Sequence, residues 1–144
     1  MMRKRTLSRE AALKILYASD VSKETGRESV KKYWENNDPS SEDIRSFSEV
    51  IVFGVGEHQG EIDGVISGFA KNWQLERMAT IDRNILRIAS FELLYLPGTP
   101  SKVIINEAVE LAKKYGDKDS SKFVNGILDK VKDKRERSNN DIKE

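Results

Sequence analysis

Apolar residues recur every three to four positions along most of the chain, and no segment alternates strongly enough to predict a strand. That period lines side chains along one face of an α-helix. Ala11, Ala12, Ile15, Leu16 and Ala18 mark a first helix, with Thr6 or Ser8 as its cap and Glu10, Lys14 and Tyr17 on the opposite side. Val30, Tyr33 and Trp34 predict a short second helix between Gly26 and the Asn37-Asp38-Pro39-Ser40 turn, its aromatics facing the core. Ser40 or Ser41 with Asp43 signals a third start, continued by Ile44, Phe47, Val50 and Ile51.

Gly54 is followed by Gly56, Gly60, Gly64 and Gly68, the last four spaced so that they stack on one helical face. Ile62, Val65, Ile66, Phe69 and Trp73 form the accompanying core stripe. The glycines allow close backbone approach at a propensity cost of ~1 kcal/mol each, so part of this stretch, above all 54–56, reads as a loop. A dinucleotide-binding loop is excluded by the missing third glycine and the missing strand before it.

The most regular region is residues 79–129. Thr80 reads as an N-cap, with Asp82 in the first turn at the positive end of the helix dipole. Ile85, Leu86, Ile88, Ala89, Leu93 and Leu96 cover an arc broad enough for a central, buried helix. Glu92 falls inside that arc, which predicts a buried ion pair. Thr99 and Pro100 open the next helix, whose stripe is Ile104, Ala108, Leu111, Ala112 and Tyr115, with Glu110 and Lys114 paired and Gly116 as the stop. Asp119 or Ser120 caps the last helix, in which Phe123, Val124, Ile127, Leu128 and Val131 override the turn signal of Asn125-Gly126. From Lys132 the apolar stripe ends. The prediction is an all-α bundle of six to seven helices, one domain over residues 1–131, and a charged, disordered tail over 132–144.

A chain of 144 residues is long enough for one compact core without staples. It contains no cysteine, which removes disulfides and thiolate chemistry and fits a reducing compartment. No uncharged apolar run is long enough for a membrane span, and the Met-Met-Arg-Lys-Arg start lacks the apolar stretch of a signal peptide, so a cytoplasmic location is expected. The charge balance, 25 Lys+Arg against 24 Asp+Glu, gives only +1. A nucleic-acid surface must therefore be local. The first nine residues supply one, with Arg3, Lys4, Arg5 and Arg9. Lys14 and Tyr17 continue it one helical face further on, suited to a phosphate and an unstacked base. The plainer alternatives are a flexible basic tail and a solvated helix face.

Catalysis finds no support. His58 is the sole histidine, no glycine-rich phosphate loop with its lysine occurs, and Asp117 and Asp119 sit in a capping turn where acids serve structure. No catalytic residue, metal site or cofactor is expected.

Four blocks, in order, carry a family resemblance: residues 9–17 (Arg-Glu-Ala-Ala-Leu-Lys-Ile-Leu-Tyr), 81–93 with Ile81-Asp82-Arg83-Asn84-Ile85-Leu86-Arg87, 103–113 with Val103-Ile104-Ile105-Asn106-Glu107-Ala108, and 121–128 with Lys122-Phe123-Val124-Asn125-Gly126. Over residues 3–131 the chain resembles the NusB family of bacterial transcription antitermination factors; the segment 20–43 matches poorly. The resemblance implies two packed three-helix-like subdomains. It also implies binding of boxA RNA together with NusE, a small-subunit ribosomal protein, and joining of NusA, NusG and RNA polymerase on ribosomal RNA operons. By position, Arg5, Arg9, Lys14 and Tyr17, with Asp119, Lys122 and Phe123 in the turn over 119–123, would form the RNA surface. Asp82 and its helix would form a separate surface for NusE. Two other readings stand beside this one. The first is the RNA-binding module of a ribosomal RNA methyltransferase, disfavoured because only a charged tail follows Val131. The second is a homodimeric scaffold using the Gly56, Gly60, Gly64 and Gly68 face.

Overall fold

The helical period is realised as six α-helices: α1 Met2–Ser22, α2 Gly26–Asn36, α3 Glu42–Phe69, α4 Thr80–Tyr95, α5 Ser101–Tyr115 and α6 Ser120–Lys143. A short 3-10 turn, Leu75–Arg77, joins α3 to α4. The computed structural model describes the backbone of residues 2–71 and 74–143 and the side chains of 4–71 and 74–137. Trp73 and the Arg3 side chain, both given roles above, lie outside the described residues, as do the side chains beyond 137.

Helices α1–α3 pack on one another, as do α4–α6, and the two groups join where α4 lies against α1 and α3. This is the predicted pair of three-helix subdomains, with one continuous core. Its centre is α4, in which every residue from Asn84 to Leu93 is buried. Polar residues on that helix must therefore find partners inside the protein. Asp20 of α1 accepts from Arg83 Nε and Asn84 Nδ2, both at 3.0 Å, and from Arg87 Nη1 at 3.2 Å. Arg87 also forks onto Asp63 of α3 at 2.9 and 3.0 Å. Burial by itself would raise the Asp20 carboxyl, but the hydrogen bonds from Asn84 and Arg83 outweigh it and hold it below the usual carboxylate range. One small network thus ties three helices together.

Local signals fixed several boundaries and missed others by a residue. Thr25 caps α2 in a capping box with Glu28, and Ser41 caps α3 by accepting from Ile44 N at 3.3 Å. Thr6 and Ser8 are not caps, because α1 begins before them. The Ser8 hydroxyl instead lies 2.9 Å from the Ile44 carbonyl, bridging α1 to α3. Thr80 is the first residue of α4 rather than its cap, and Pro100 rather than Thr99 occupies the cap position of α5. Lys114 reaches across to Glu10 of α1 instead of pairing with Glu110, which meets Lys113.

The glycine-rich segment is helical, with α3 continuous through 54–56 and a kink at His58 (φ −110°, ψ 16°). Only Gly54 serves close approach: a Cβ there would fall 2.1 Å from Phe91 Cζ. The other four, Gly56, Gly60, Gly64 and Gly68, are exposed and would meet nothing within 4 Å. The kink carries His58 onto the Tyr95 ring, 3.9 Å between centroids and 15° between planes. The lone histidine is thus an aromatic packing element.

The expected tail also departs from its prediction. Helix α6 continues past Lys132, where Arg135 is buried and caps the end of α4 in the same subdomain. Its guanidinium donates to Ser101 Oγ at 2.8 Å, Thr99 O at 2.9 Å and Leu96 O at 3.2 Å. A cation satisfying the carbonyls that follow α4 is favoured both by hydrogen bonding and by the helix dipole.

Candidate nucleic-acid interface

Along α1 the cations divide into three environments. At its start, Lys4 pairs with Asp43 of α3 at 3.2 Å, and the Arg5 guanidinium lies 3.6 Å over the Phe47 ring. Both remain exposed. They line an open cavity of about 480 Å³ with Phe47 and Val50. Stacking on Phe47 orders Arg5 without neutralising it, which leaves its charge for a phosphate.

Arg9 is different and corrects the sequence reading. It is only 4% exposed. Its Nε and Nη2 fork onto the two oxygens of Glu92, each at 2.8 Å, and Nη1 reaches Glu107 at 2.9 Å. Burial would disfavour its charge, but Glu92 and Glu107 outweigh that and raise its pKa above the ordinary value. Glu92 has the buried ion pair expected of it. Its partner is the arginine that sequence position alone had put on the RNA surface. Arg9 therefore joins α1, α4 and α5 from inside.

The third environment is the exposed side of α1. Glu10 accepts from Lys114 Nζ at 2.9 Å and from Tyr115 OH at 3.0 Å, both at the end of α5. Burial opposes ionisation of Glu10, yet the Lys114 and Tyr115 hydrogen bonds prevail and lower its pKa. Lys14, one turn on, is exposed and sits 5.9 Å from the Tyr115 ring centroid. Tyr17 follows at 42% exposure. A lysine and an aromatic ring thus face outward beside the end of α5.

The chain leaves α5 directly into the turn that sequence position assigned to RNA. Gly116 N donates to Ala112 O at 2.9 Å, and a Cβ on Gly116 would lie 2.4 Å from Ser120 Oγ and 2.8 Å from Ala112 O. Only glycine fits. Asp117 Oδ1 then accepts from Asp119 N at 2.9 Å, and Asp117 N donates to the buried Ser120 Oγ at 3.0 Å. These bonds fix the turn before any ligand arrives. They leave Asp119 and Lys122 exposed and Phe123 half-buried. The hydrogen bonds of Glu10 to Lys114 and Tyr115 join this turn to α1 through the last residues of α5.

Asp82 does not project from a separate face. It is 8% exposed and lines a cavity of about 280 Å³ with Met78, Ala79, Asp117, Asp119 and Phe123. The residue assigned to a protein partner and the turn assigned to RNA therefore share one recess. Sequence reasoning separated them because they lie more than thirty positions apart. It also missed Phe47 beneath Arg5 and the Tyr115 hydroxyl on Glu10, since helical periodicity marks an aromatic as core without showing which edge is wet.

The family model described as the NusB family matches residues 6–133. The transcription antitermination protein NusB of Anaeromyxobacter dehalogenans is 45% identical over 131 residues, covering 91% of this chain and 92% of that one. Among solved structures, the fold is similar to NusB of T. maritima, with TM-score 0.82, 34% identity, and 91% and 90% of the two chains covered. It is also similar to a chain in the crystal structure of antitermination factors NusB and NusE in complex with dsRNA, with TM-score 0.81, 30% identity, and 92% and 98% covered.

Proposed function

Since the chain belongs to the NusB family of transcription antitermination proteins, we propose that it binds boxA-type single-stranded RNA together with NusE. The complex then joins NusA, NusG and RNA polymerase to suppress termination, notably on ribosomal RNA operons. Lys4, Arg5, Lys14 and Lys122 meet phosphates. Tyr17 and Phe123 offer aromatic faces to unstacked bases, the chemistry by which single-stranded RNA is held. Asp119 accepts from base amino groups or ribose hydroxyls, since a carboxylate repels phosphate. Arg9 takes no direct part.

One observation carries this reading: Glu10 holds the end of α5 against α1, so that Lys14 and Tyr17 stand beside a turn that is already rigid. Pre-formed placement lowers the ordering cost of binding. The chemistry of the site is that of binding.

With four phosphate contacts, the slope of log K against log salt for a boxA oligonucleotide is about −3. A fluorescence titration across salt concentrations checks this, with a scrambled RNA as control and with NusE present or absent. A flat salt response would remove the phosphate contacts. Tyr17→Ala is expected to cost about 1–3 kcal/mol of RNA affinity through lost stacking, with folding unchanged because the ring is on the surface.

A further inference from the structure

Another recess opens beside Lys14, between α1, α2 and the turn that links α2 to α3. Its volume is about 130 Å³, and its walls include Glu10 and Lys14 of α1, Tyr33 and Trp34 of α2, and Asp38 and Ser40 of the turn. The last four lie within residues 20–43, where the family resemblance is weakest, and it gave them no role. Helical spacing put both aromatics in the core, yet each is only half-buried. The Trp34 ring packs edge-on against Tyr33, 4.8 Å between centroids and 86° between planes. Its Nε1–H is buried and has no acceptor. An indole nitrogen is a donor only, so nothing but an incoming acceptor can satisfy it, and leaving it unpaired is costly.

The walls narrow what that acceptor is. The carboxylates of Glu10 and Asp38 oppose a phosphate inside the recess, while Lys14 is exposed and suits a phosphate outside it. The two aromatic rings, with Leu7, Pro39 and Ile44, give the apolar faces that an unstacked base needs. The volume equals that of about four waters at about 30 Å³ each, which suits a single ring with its substituents rather than a purine. Every pyrimidine has a carbonyl acceptor at C2 and a donor on the same edge, the N3–H of uracil or the N4 amino group of cytosine. Glu10 is already engaged by Lys114 and Tyr115, whereas Asp38 spends only Oδ1, on Ser40 N at 2.9 Å. We infer that this recess holds one unstacked pyrimidine of the bound RNA, its C2 carbonyl accepting from Trp34 Nε1–H and its donor meeting Asp38 Oδ2. The inference rests on the reading that the chain binds single-stranded RNA, and adds a base-reading residue to it.

Because Nε1 is shielded in the free protein, seating the base displaces the turn over residues 37–41. Ser40 is held there at φ 69°, a strained backbone for a residue with a side chain. The base thus meets a donor that is unpaired and a turn that gains by moving. Its place beside Lys14 keeps it on the same strand as the contacts along α1.

The test uses the full chain with isotope-labelled tryptophan, a boxA oligonucleotide and NMR. The chain has two tryptophans, and the Trp34 indole resonance is the one lost in Trp34→Phe, which keeps a ring against Tyr33. RNA is expected to move that resonance downfield. Oligonucleotides with one abasic position each then locate the base: a single pyrimidine position should matter to the recess. Trp34→Phe should bind intact RNA roughly 3- to 10-fold more weakly, the scale of one lost neutral hydrogen bond. It should bind the RNA abasic at that position as wild type does, a coupling that a folding defect would not produce. An indole resonance unmoved by RNA overturns the inference, and so does an equal loss by Trp34→Phe on every abasic RNA. A purine at the coupled position overturns it, as does a resonance that moves with NusE alone, which would assign the recess to protein. If wild-type protein binds no boxA RNA, the functional reading fails, and the recess is then decided by titrating the same resonance with cytidine and uridine monophosphates. A saturable shift with either sustains the inference; no shift, or the same shift with inorganic phosphate, overturns it.

Discussion

Arg9→Ala is expected to lower the unfolding free energy by about 3–5 kcal/mol, the cost of stranding a buried charge whose partner has been removed. For a chain of this size that corresponds to a fall in Tm on the order of 10 °C. The reason is the position of Glu92, which is 1% exposed and receives both arms of the Arg9 fork. Without Arg9, Glu92 must carry its charge in the core or take up a proton. Arg9→Lys keeps a charge but cannot fork, so an intermediate loss is expected. The double variant Arg9→Met with Glu92→Leu should lie much closer to wild type, because an apolar pair removes both desolvation costs together. Urea denaturation of the four proteins checks the series. The RNA affinity of folded Arg9→Lys should match wild type. A stable Arg9→Ala with lost RNA binding would return Arg9 to the RNA surface.

Gly54→Ala is expected to destabilise by about 3 kcal/mol, near the upper end of ordinary overpacking costs. The added methyl would fall 2.1 and 2.3 Å from Phe91 Cζ and Cε1. Phe91 cannot swing aside, since it is 4% exposed and packed near both Tyr95, at 5.8 Å between centroids, and His58, at 6.4 Å. Adding Phe91→Leu to Gly54→Ala should recover part of the loss, a coupling readable in a double-mutant cycle. The same substitution at Gly60 or Gly64 has the opposite sign. Neither Cβ would meet anything within 4 Å, and alanine is the better helix former by up to ~1 kcal/mol. Equal effects at Gly54 and Gly60 in thermal unfolding would show that the ring does relax.

These two series mark how much was legible in the residues themselves. Helix identity was legible, because a three-to-four period of apolar residues has only one backbone solution at these lengths. So were Ser41 and Gly116 as punctuation, each acting through a bond within a few residues of itself. The buried state of Glu92 was legible too, since helical projection put it among leucines and isoleucines. Its partner was not. Arg9 and Glu92 are 83 positions apart, and nothing in the local pattern distinguishes an arginine that reaches inward from one that reaches outward.

The candidate site divides along the same line. Sequence alone determined the all-helical class, the order of the elements and, through four blocks of resemblance, the family. Each of these rests on periodicity or on residues close in the chain. Tertiary structure alone decided which cations stay outside: Lys4, Arg5, Lys14 and Lys122 are exposed, while Arg9 and Arg135 are drawn in to carboxylates and carbonyls from other helices. It likewise brought Asp82 to the turn before α6 and left its Oδ1 without a donor. The physical reason is common to all of these cases. A side chain's charge and its place on a helix are local properties, whereas its burial and its partners depend on which other helix packs over it.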